Sequence, residues 1–155
     1  MLPFFKKIGH EIVATIAQAY LQPKTLASVC ELLGKSPCHL APVSNWADKV
    51  KGGLSWSKTM HYVNPVDDHP SKDCPFPGPG GWVGPKNANV LDAVKNMTNV
   101  LQRWVKHETS HTVAEQALMF LVHFVGDMHQ PLHLSGRAKG GNLIKVRFDG
   151  KSTSG

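Results

Sequence analysis

The sequence lacks any long hydrophobic run, any Cys-x-x-Cys pair and any concentrated block of basic residues. No segment reaches the roughly 18 consecutive apolar residues that a membrane-spanning helix requires, so we expect no membrane association. The first residues contain neither an apolar core nor a cleavage site, so no signal peptide is expected in this chain. Without paired cysteines, a zinc site built from thiolates is not expected either.

Histidine is the residue in surplus. Nine of the 155 residues are histidine, which is the commonest metal ligand among side chains. The formal net charge of +6 favours a polyanionic partner such as nucleic acid, although the basic residues are scattered. Of the three cysteines, Cys30 and Cys38 are close enough to join the end of a helix to its following loop. Cys74 is then left over, which suggests a partner outside this sequence.

Apolar spacing predicts a mainly α-helical fold, with helices near residues 7–21, 23–34, 42–51, 88–106 and 110–127. The last of these is apolar nearly all round and is therefore predicted to be the buried central helix. Residues 64–86 are rich in proline and glycine and predict a long surface loop, of a length that usually serves function. Residues 143–148 alternate like a strand before the turn Asp149-Gly150, which predicts a small, unfinished β-hairpin.

The segment from His123 to His133 carries the chemistry. His123 and Asp127 are four residues apart, so they share one helix face and provide an imidazole and a carboxylate, a normal ligand pair for zinc. His133 follows the bend at Pro131, where the chain can fold back towards the same place. The alternative is a core histidine that is hydrogen-bonded to Asp127. Two further histidines within six residues favour a metal.

This segment resembles the motif His-Phe-x-Gly-Asp-x-x-Gln-Pro-Leu-His of the class I (S1/P1-type) single-strand-specific zinc nucleases of fungi and plants. Four other segments match in order, and the resemblance extends from residue 9 to about residue 150. It implies an all-α fold of the phospholipase C/nuclease type, formed by a single domain over residues 1–155 that is incomplete at its C-terminus. The four segments are Gly9-His10, Trp46-Ala47-Asp48, His61-Tyr62-Val63-Asn64 and Gly140-Gly141-Asn142.

The resemblance also implies three zinc ions in a cleft. The first would be held by Asp48, His61, His123 and Asp127. The third would use His10, Asp127 and the free amine and carbonyl of an N-terminal tryptophan. This chain has Phe5 at that position, with four residues before it, so the third site is expected to be impaired unless the amine of Phe5 is freed.

The second zinc would use His133 together with a histidine and an aspartate from a motif expected near Ser154, which this sequence does not contain. We therefore expect about one well-formed zinc site and reduced activity in the chain as given.

By resemblance, the reaction is hydrolysis of single-stranded DNA or RNA to 5′-phosphorylated products. Asp48 would orient the attacking water, and Lys51 would neutralise charge on the phosphate. Tyr62 would stack on a base, and Asn64 stands where the family often has an acidic base-reading residue. Substrate contacts are also expected from the loop Gly140, Gly141 and Asn142.

The sequon Asn96-Met97-Thr98 predicts N-glycosylation at Asn96, and the family is secreted or vacuolar. No protein partner is implied, and a monomer is expected. Two alternatives remain open at this stage. One is a non-catalytic fragment that binds metal and nucleic acid, and the other is a zinc phospholipase C-like hydrolase.

Overall fold

A computed structural model describes residues 3–35, 37–66, 79–135, 137–138, 140–148 and 150–154. Within these ranges the fold is mainly helical, as predicted. None of the described helices is long and apolar enough to cross a membrane. The α-helices are α1 (Pro3–Ala19), α2 (Pro23–Leu33), α3 (Trp46–Val50), α4 (Val90–Val105) and α5 (His111–Met128), and 3-10 helices cover Ala41–Val43, Ser55–His61 and Pro131–Leu134.

The central helix predicted from the sequence is α5, which packs against α1, α2, α3 and α4. Two apolar clusters lie on either side of it. One includes Ala14, Leu32 and Leu118 from α1, α2 and α5. The other includes Val90 and Phe120 from α4 and α5. Because α5 is covered on several sides, the polar residues near its C-terminal end are also buried.

Helix α1 is present as predicted, but its apolar stripe does not face the core. Ile12 and Ile16 are 53% and 54% exposed, and Tyr20 is 85% exposed. The face turned inward carries His10 and Ala14 instead. Hydrogen bonds fix this rotation, because His10 Nε2 lies 3.1 Å from Asp127 Oδ1, and a buried polar group without a partner costs more than an exposed isoleucine.

The predicted helix over 42–51 is wrong as a single element. The structure has a 3-10 turn at Ala41–Val43 and a separate α3 at Trp46–Val50. The break falls at Ser44, whose carbonyl oxygen accepts a hydrogen bond from His123 Nδ1 at 2.6 Å. This hydrogen bond ties the residue at the break to α5.

The ends of the predicted 64–86 loop lie side by side. Val66 N donates to Gly81 O at 2.9 Å, and Val83 N donates to Asn64 O at 2.8 Å. The middle of this loop, including Cys74, lies outside the described residues. The predicted link between Cys30 and Cys38 is confirmed as a disulfide. Strands β1 (Lys145–Phe148) and β2 (Lys151–Ser154) pair antiparallel.

Candidate metal centre

The C-terminal end of α5 brings together all six residues predicted from the sequence as metal ligands. His123 and Asp127 lie one helical turn apart on α5. The other four come from four separate elements: His10 from α1, Asp48 from α3, and His61 and His133 from the second and third 3-10 helices. Each of these four elements therefore contributes a single predicted ligand to a centre built on α5.

One oxygen of the Asp127 carboxylate lies close to the histidines of the first predicted ligand set. Its Oδ2 atom lies 2.9 Å from His61 Nδ1 and 3.2 Å from His123 Nε2. The two ring nitrogens are 3.0 Å apart, and Asp48 Oδ1 lies 3.8 Å from His123 Nε2. Ligand atoms about 2.0–2.1 Å from a tetrahedral zinc stand roughly 3.3 Å apart. Asp48, His61 and His123 have ligand atoms within 4.8 Å of one another, and these donor types, with Asp127 Oδ2 beside them, suit a zinc ion.

The other carboxylate oxygen of Asp127 faces a different pair of histidines. Its Oδ1 atom lies 3.1 Å from His10 Nε2 and 3.8 Å from His133 Nε2. The His10 ring stacks on His123, with ring centroids 4.1 Å apart. His10, His123 and Asp127 form a second group whose ligand atoms lie within 4.8 Å of one another. Asp127 thus stands between two possible metal positions.

Backbone carbonyls fix the orientation of two of these rings. His123 Nδ1 donates to Ser44 O at 2.6 Å, and His133 Nδ1 donates to Gly140 O at 2.8 Å. A carbonyl can only accept, so each Nδ1 carries a proton, which leaves Nε2 as the nitrogen of each ring that can bind a metal. In both rings Nε2 faces Asp127, and an Nδ1 held by a backbone carbonyl is the usual arrangement of a histidine that binds metal through Nε2.

Two glycines make these close contacts possible. A Cβ atom on Gly126 would lie 2.6 Å from His10 Cδ2, so a side chain there would displace the His10 ring. A Cβ atom on Gly140 would lie 3.0 Å from His133 Nδ1, and Gly140 also has a positive φ of 67°. Both glycines belong to the segments that carried the family resemblance, and each has a steric reason to be glycine.

Both aspartates of the centre are held in the ionised form. Burial, the largest influence on Asp127, raises its pKa, but hydrogen bonds from His10, His123 and His61 outweigh it and hold the pKa well below its usual range. Burial also raises the pKa of Asp48, yet the Lys51 hydrogen bond and nearby charges lower it overall. The ionised form is the one that a cation binds.

The cluster opens into a cleft of about 250 Å³, called the catalytic cleft below. Lys51 and Tyr62 both line this cleft. Lys51 Nζ donates to Asp48 Oδ1 at 2.7 Å, and the Tyr62 side chain is 39% exposed. Neither Asn64 nor Gly141 lines this cleft, although both were predicted to contact substrate. The lining residues are Asp48, Lys51, Lys58, His61, Tyr62, Asp127, His133, Gly140 and Asn142.

Asn64 and Gly141 lie beside the cleft. Asn64 Oδ1 is buried and has no hydrogen-bond partner among the residues that the structure describes. Gly141 has a φ of 88°, and a Cβ atom there would meet Leu132 at 2.7 Å. A second cleft, of about 270 Å³, opens on the other side of Asp127 and is lined partly by His10 and His129.

The remaining predicted residues lie elsewhere. Asn96 is exposed on α4, and Phe5 lies within α1. Of the histidines without a predicted role, His39, His107, His111 and His129 are exposed, and His69 lies outside the described residues. Sequence reasoning missed Lys58, because nothing in its local pattern predicts the 3-10 helix that turns it towards the cleft.

The geometry first defines a class, namely helical proteins with a buried His/Asp cluster of the kind that binds zinc. The S1/P1 Nuclease family model matches residues 5–154, and the chain belongs to that family. The resemblance inferred from the sequence is confirmed.

Relatives from fungi and plants support this assignment. The chain is 35% identical to Nuclease P1 of Penicillium citrinum over 92% of its own length and 52% of the relative's. It is 37% identical to Endonuclease 2 of Arabidopsis thaliana, over 92% of the chain and 50% of the relative. For Nuclease S1 of Aspergillus oryzae the identity is 34%, over 95% and 50%. The chain spans about half the length of these relatives.

Proposed function

We propose that this chain forms the zinc-binding part of a nuclease that hydrolyses phosphodiester bonds of single-stranded DNA and RNA to 5′-phosphorylated products. One observation carries the proposal: the two oxygens of Asp127 face different histidines at the floor of a cleft with a lysine and an exposed tyrosine on its wall. The names of the relatives, which are nucleases and endonucleases, agree with it.

The first zinc would be held by Asp48, His61, His123 and Asp127. His10 and His133 would serve neighbouring ions that share Asp127 or lie beside it. When bound, zinc supplies Lewis-acid polarisation of the phosphate and of the attacking water. The tautomers fixed by Ser44 O and Gly140 O present Nε2 of His123 and His133 to the metals.

The chain's own residues would then position the reacting groups. Asp48, kept ionised by Lys51, accepts a hydrogen bond from the attacking water and orients it. The ammonium group of Lys51 offsets negative charge that develops on the phosphate. The water oxygen gives up a proton to solvent and bonds to phosphorus, the bond between phosphorus and the 3′-oxygen breaks, and the 3′-oxygen leaves with the bonding electrons and takes up a proton from solvent. The phosphate remains on the 5′ side.

Single-strand preference follows from the exposed ring of Tyr62. A base that stacks on this ring must leave its own stack, which is easiest in a strand without a partner. Asn142 and Gly140, which also line the cleft, would contact the same nucleotide.

We also propose that the chain passes through a secretory compartment. Asn96 is exposed on α4, where it could accept a glycan, and disulfides such as Cys30–Cys38 persist in oxidising compartments. Mass spectrometry of the chain expressed in a eukaryotic secretory host, with Asn96→Gln as control, would show or exclude the glycan.

The function is tested with the purified chain, zinc added, on single-stranded DNA, duplex DNA, RNA and a phosphatidylcholine analogue. We expect cleavage of the single strands, with 5′-phosphate ends. His123→Ala should abolish the cleavage, and His39→Ala, an exposed histidine outside the cluster, should not. Cleavage of the lipid analogue alone would indicate a phospholipase C-like enzyme. Zinc binding without any cleavage would indicate a non-catalytic chain.

A further inference from the structure

Lys58 lies on the wall of the catalytic cleft together with Lys51 and Tyr62. It belongs to the 3-10 helix Ser55–His61, where residues three apart lie on the same side of the helix. His61 is three residues further on and faces Asp127. The helix therefore turns Lys58 to the same side as a predicted metal ligand.

The two lysines of the cleft differ in their partners. Lys51 Nζ is 2.7 Å from Asp48 Oδ1, so its charge is already engaged beside the metal cluster. Lys58 is exposed, and among the residues that the structure describes no carboxylate forms an ion pair with it. A cation on a cleft wall without an acidic partner attracts an anion from solution.

We propose that Lys58 binds a backbone phosphate next to the one being hydrolysed, and so favours polynucleotides over mononucleotides. This inference rests on the proposed nuclease function. The reacting phosphate belongs near Asp48, Lys51 and the metal ligands. The backbone positions of Lys58 and His61 are separated by roughly 6 Å along the helix axis, since the rise is about 2.0 Å per residue. Lys58 thus lines the same cleft as His61 but stands away from it, at a position where the phosphate of a neighbouring nucleotide would lie.

The salt dependence of binding tests this contact. Each phosphate that a protein neutralises on a single strand contributes about 0.7 to the slope of log affinity against log salt concentration. The affinity of a fluorescent oligothymidylate is measured by anisotropy over a range of NaCl concentrations, using the His123→Ala protein, which should not cut the strand. Thymidine 5′-monophosphate is the second probe.

We expect Lys58→Ala, made in this background, to reduce the slope by about 0.7 and to weaken oligonucleotide binding at low salt. Binding of the monophosphate should not change. Lys58→Arg should retain the slope. Lys49→Ala is the matched control, because Lys49 is exposed on α3 and does not line the cleft. Thermal melting of each variant verifies folding.

An equal reduction of the salt-dependence slope in Lys58→Ala and Lys49→Ala would overturn the inference, because the effect would then be one of net charge. Weaker binding of the monophosphate would also overturn it, since Lys58 would then serve the reacting phosphate. Both results leave the proposed nuclease function intact. If the His123→Ala protein does not bind the oligonucleotide and the wild-type chain neither binds nor cleaves it, this inference and the proposed function fail together.

Discussion

Asp127 connects the two halves of the candidate centre, because each of its carboxylate oxygens faces a different set of histidines. Among the described residues, Asp48, His61 and His123 form one group of possible metal ligands, and Asp127 Oδ2 lies 2.9 Å from His61 Nδ1, whereas the group around His10 shares both His123 and Asp127 with this set. We therefore expect the chain to retain about one zinc ion after dialysis.

Asp127→Ala should remove more zinc than His133→Ala, since Asp127 contributes to both metal positions. Elemental analysis of dialysed protein measures this, with His39→Ala as a control that should bind zinc like the wild type. Three tightly held ions in the wild type, or equal losses in the two variants, would contradict this account of the centre.

The carboxylate of Asp127 should also be visible in the pH dependence of stability. Its folded pKa lies well below its usual range, so the unfolded state takes up protons first as the pH falls. The stability contributed by the ionised carboxylate is fully present above the unfolded pKa of about 3.9. It is lost as the pH falls through the lower, folded pKa.

Urea denaturation of metal-free wild type and Asp127→Asn between neutral pH and about pH 2 tests this linkage. The stability advantage of the wild type should be constant above about pH 5 and should shrink below about pH 4. An advantage that disappears near the ordinary pKa of histidine, about 6.5, would instead assign the titration to the histidines that face Asp127, namely His10, His61, His123 and His133.

At the scale of elements, the crossing of α1 over the end of α5 depends on Gly126. A methyl group at this position would lie 2.6 Å from the His10 ring, which cannot easily move because it stacks on His123. Gly126→Ala should therefore destabilise the fold by roughly 1–3 kcal/mol through overpacking and should weaken metal binding on the His10 side.

Gly9→Ala, in α1, should have the opposite effect on stability to Gly126→Ala in α5. A Cβ atom there would meet nothing within 4 Å, and α1 is helical at this position. Alanine should stabilise the fold by about 0.5–1 kcal/mol. Chemical denaturation of both variants gives the comparison. If the two changes have the same sign, the close contact between α1 and α5 does not limit stability.

At the scale of the whole molecule, Ile12, Ile16 and Tyr20 form an exposed apolar stripe along α1. Because these side chains are exposed, Ile12→Lys/Ile16→Lys should change the free energy of unfolding by no more than about 0.5 kcal/mol per site. The double variant should also self-associate less, since apolar surface drives association.

Denaturation and sedimentation velocity measure these two effects. Ala14→Lys, at a buried position between the two isoleucines, is the control and should unfold the chain or strongly destabilise it. A large loss of stability in the double variant would mean that the stripe packs against the rest of the chain.

The sequence alone determined the positions of α1, α2, α4 and α5 and the residue types of the candidate metal centre. The helical spacing of apolar residues and the glycine or proline residues at helix ends are signals that act over a few residues. The bounds of α2, α4 and α5 could therefore be predicted closely. The segment around His123 and Asp127 holds two ligands on one helix face for the same local reason. The resemblance of the other segments then supplied the remaining predicted ligands.

Only the tertiary structure decided how these elements are turned towards one another. The inward face of α1 is set by the hydrogen bond of His10 to a residue 117 positions away. The break at Ser44 is set by a bond to His123, 79 positions away. Lys58 reaches the cleft because of a 3-10 helix with no local apolar pattern. Each of these features depends on contacts between distant residues, and the periodicity of a single segment does not contain them.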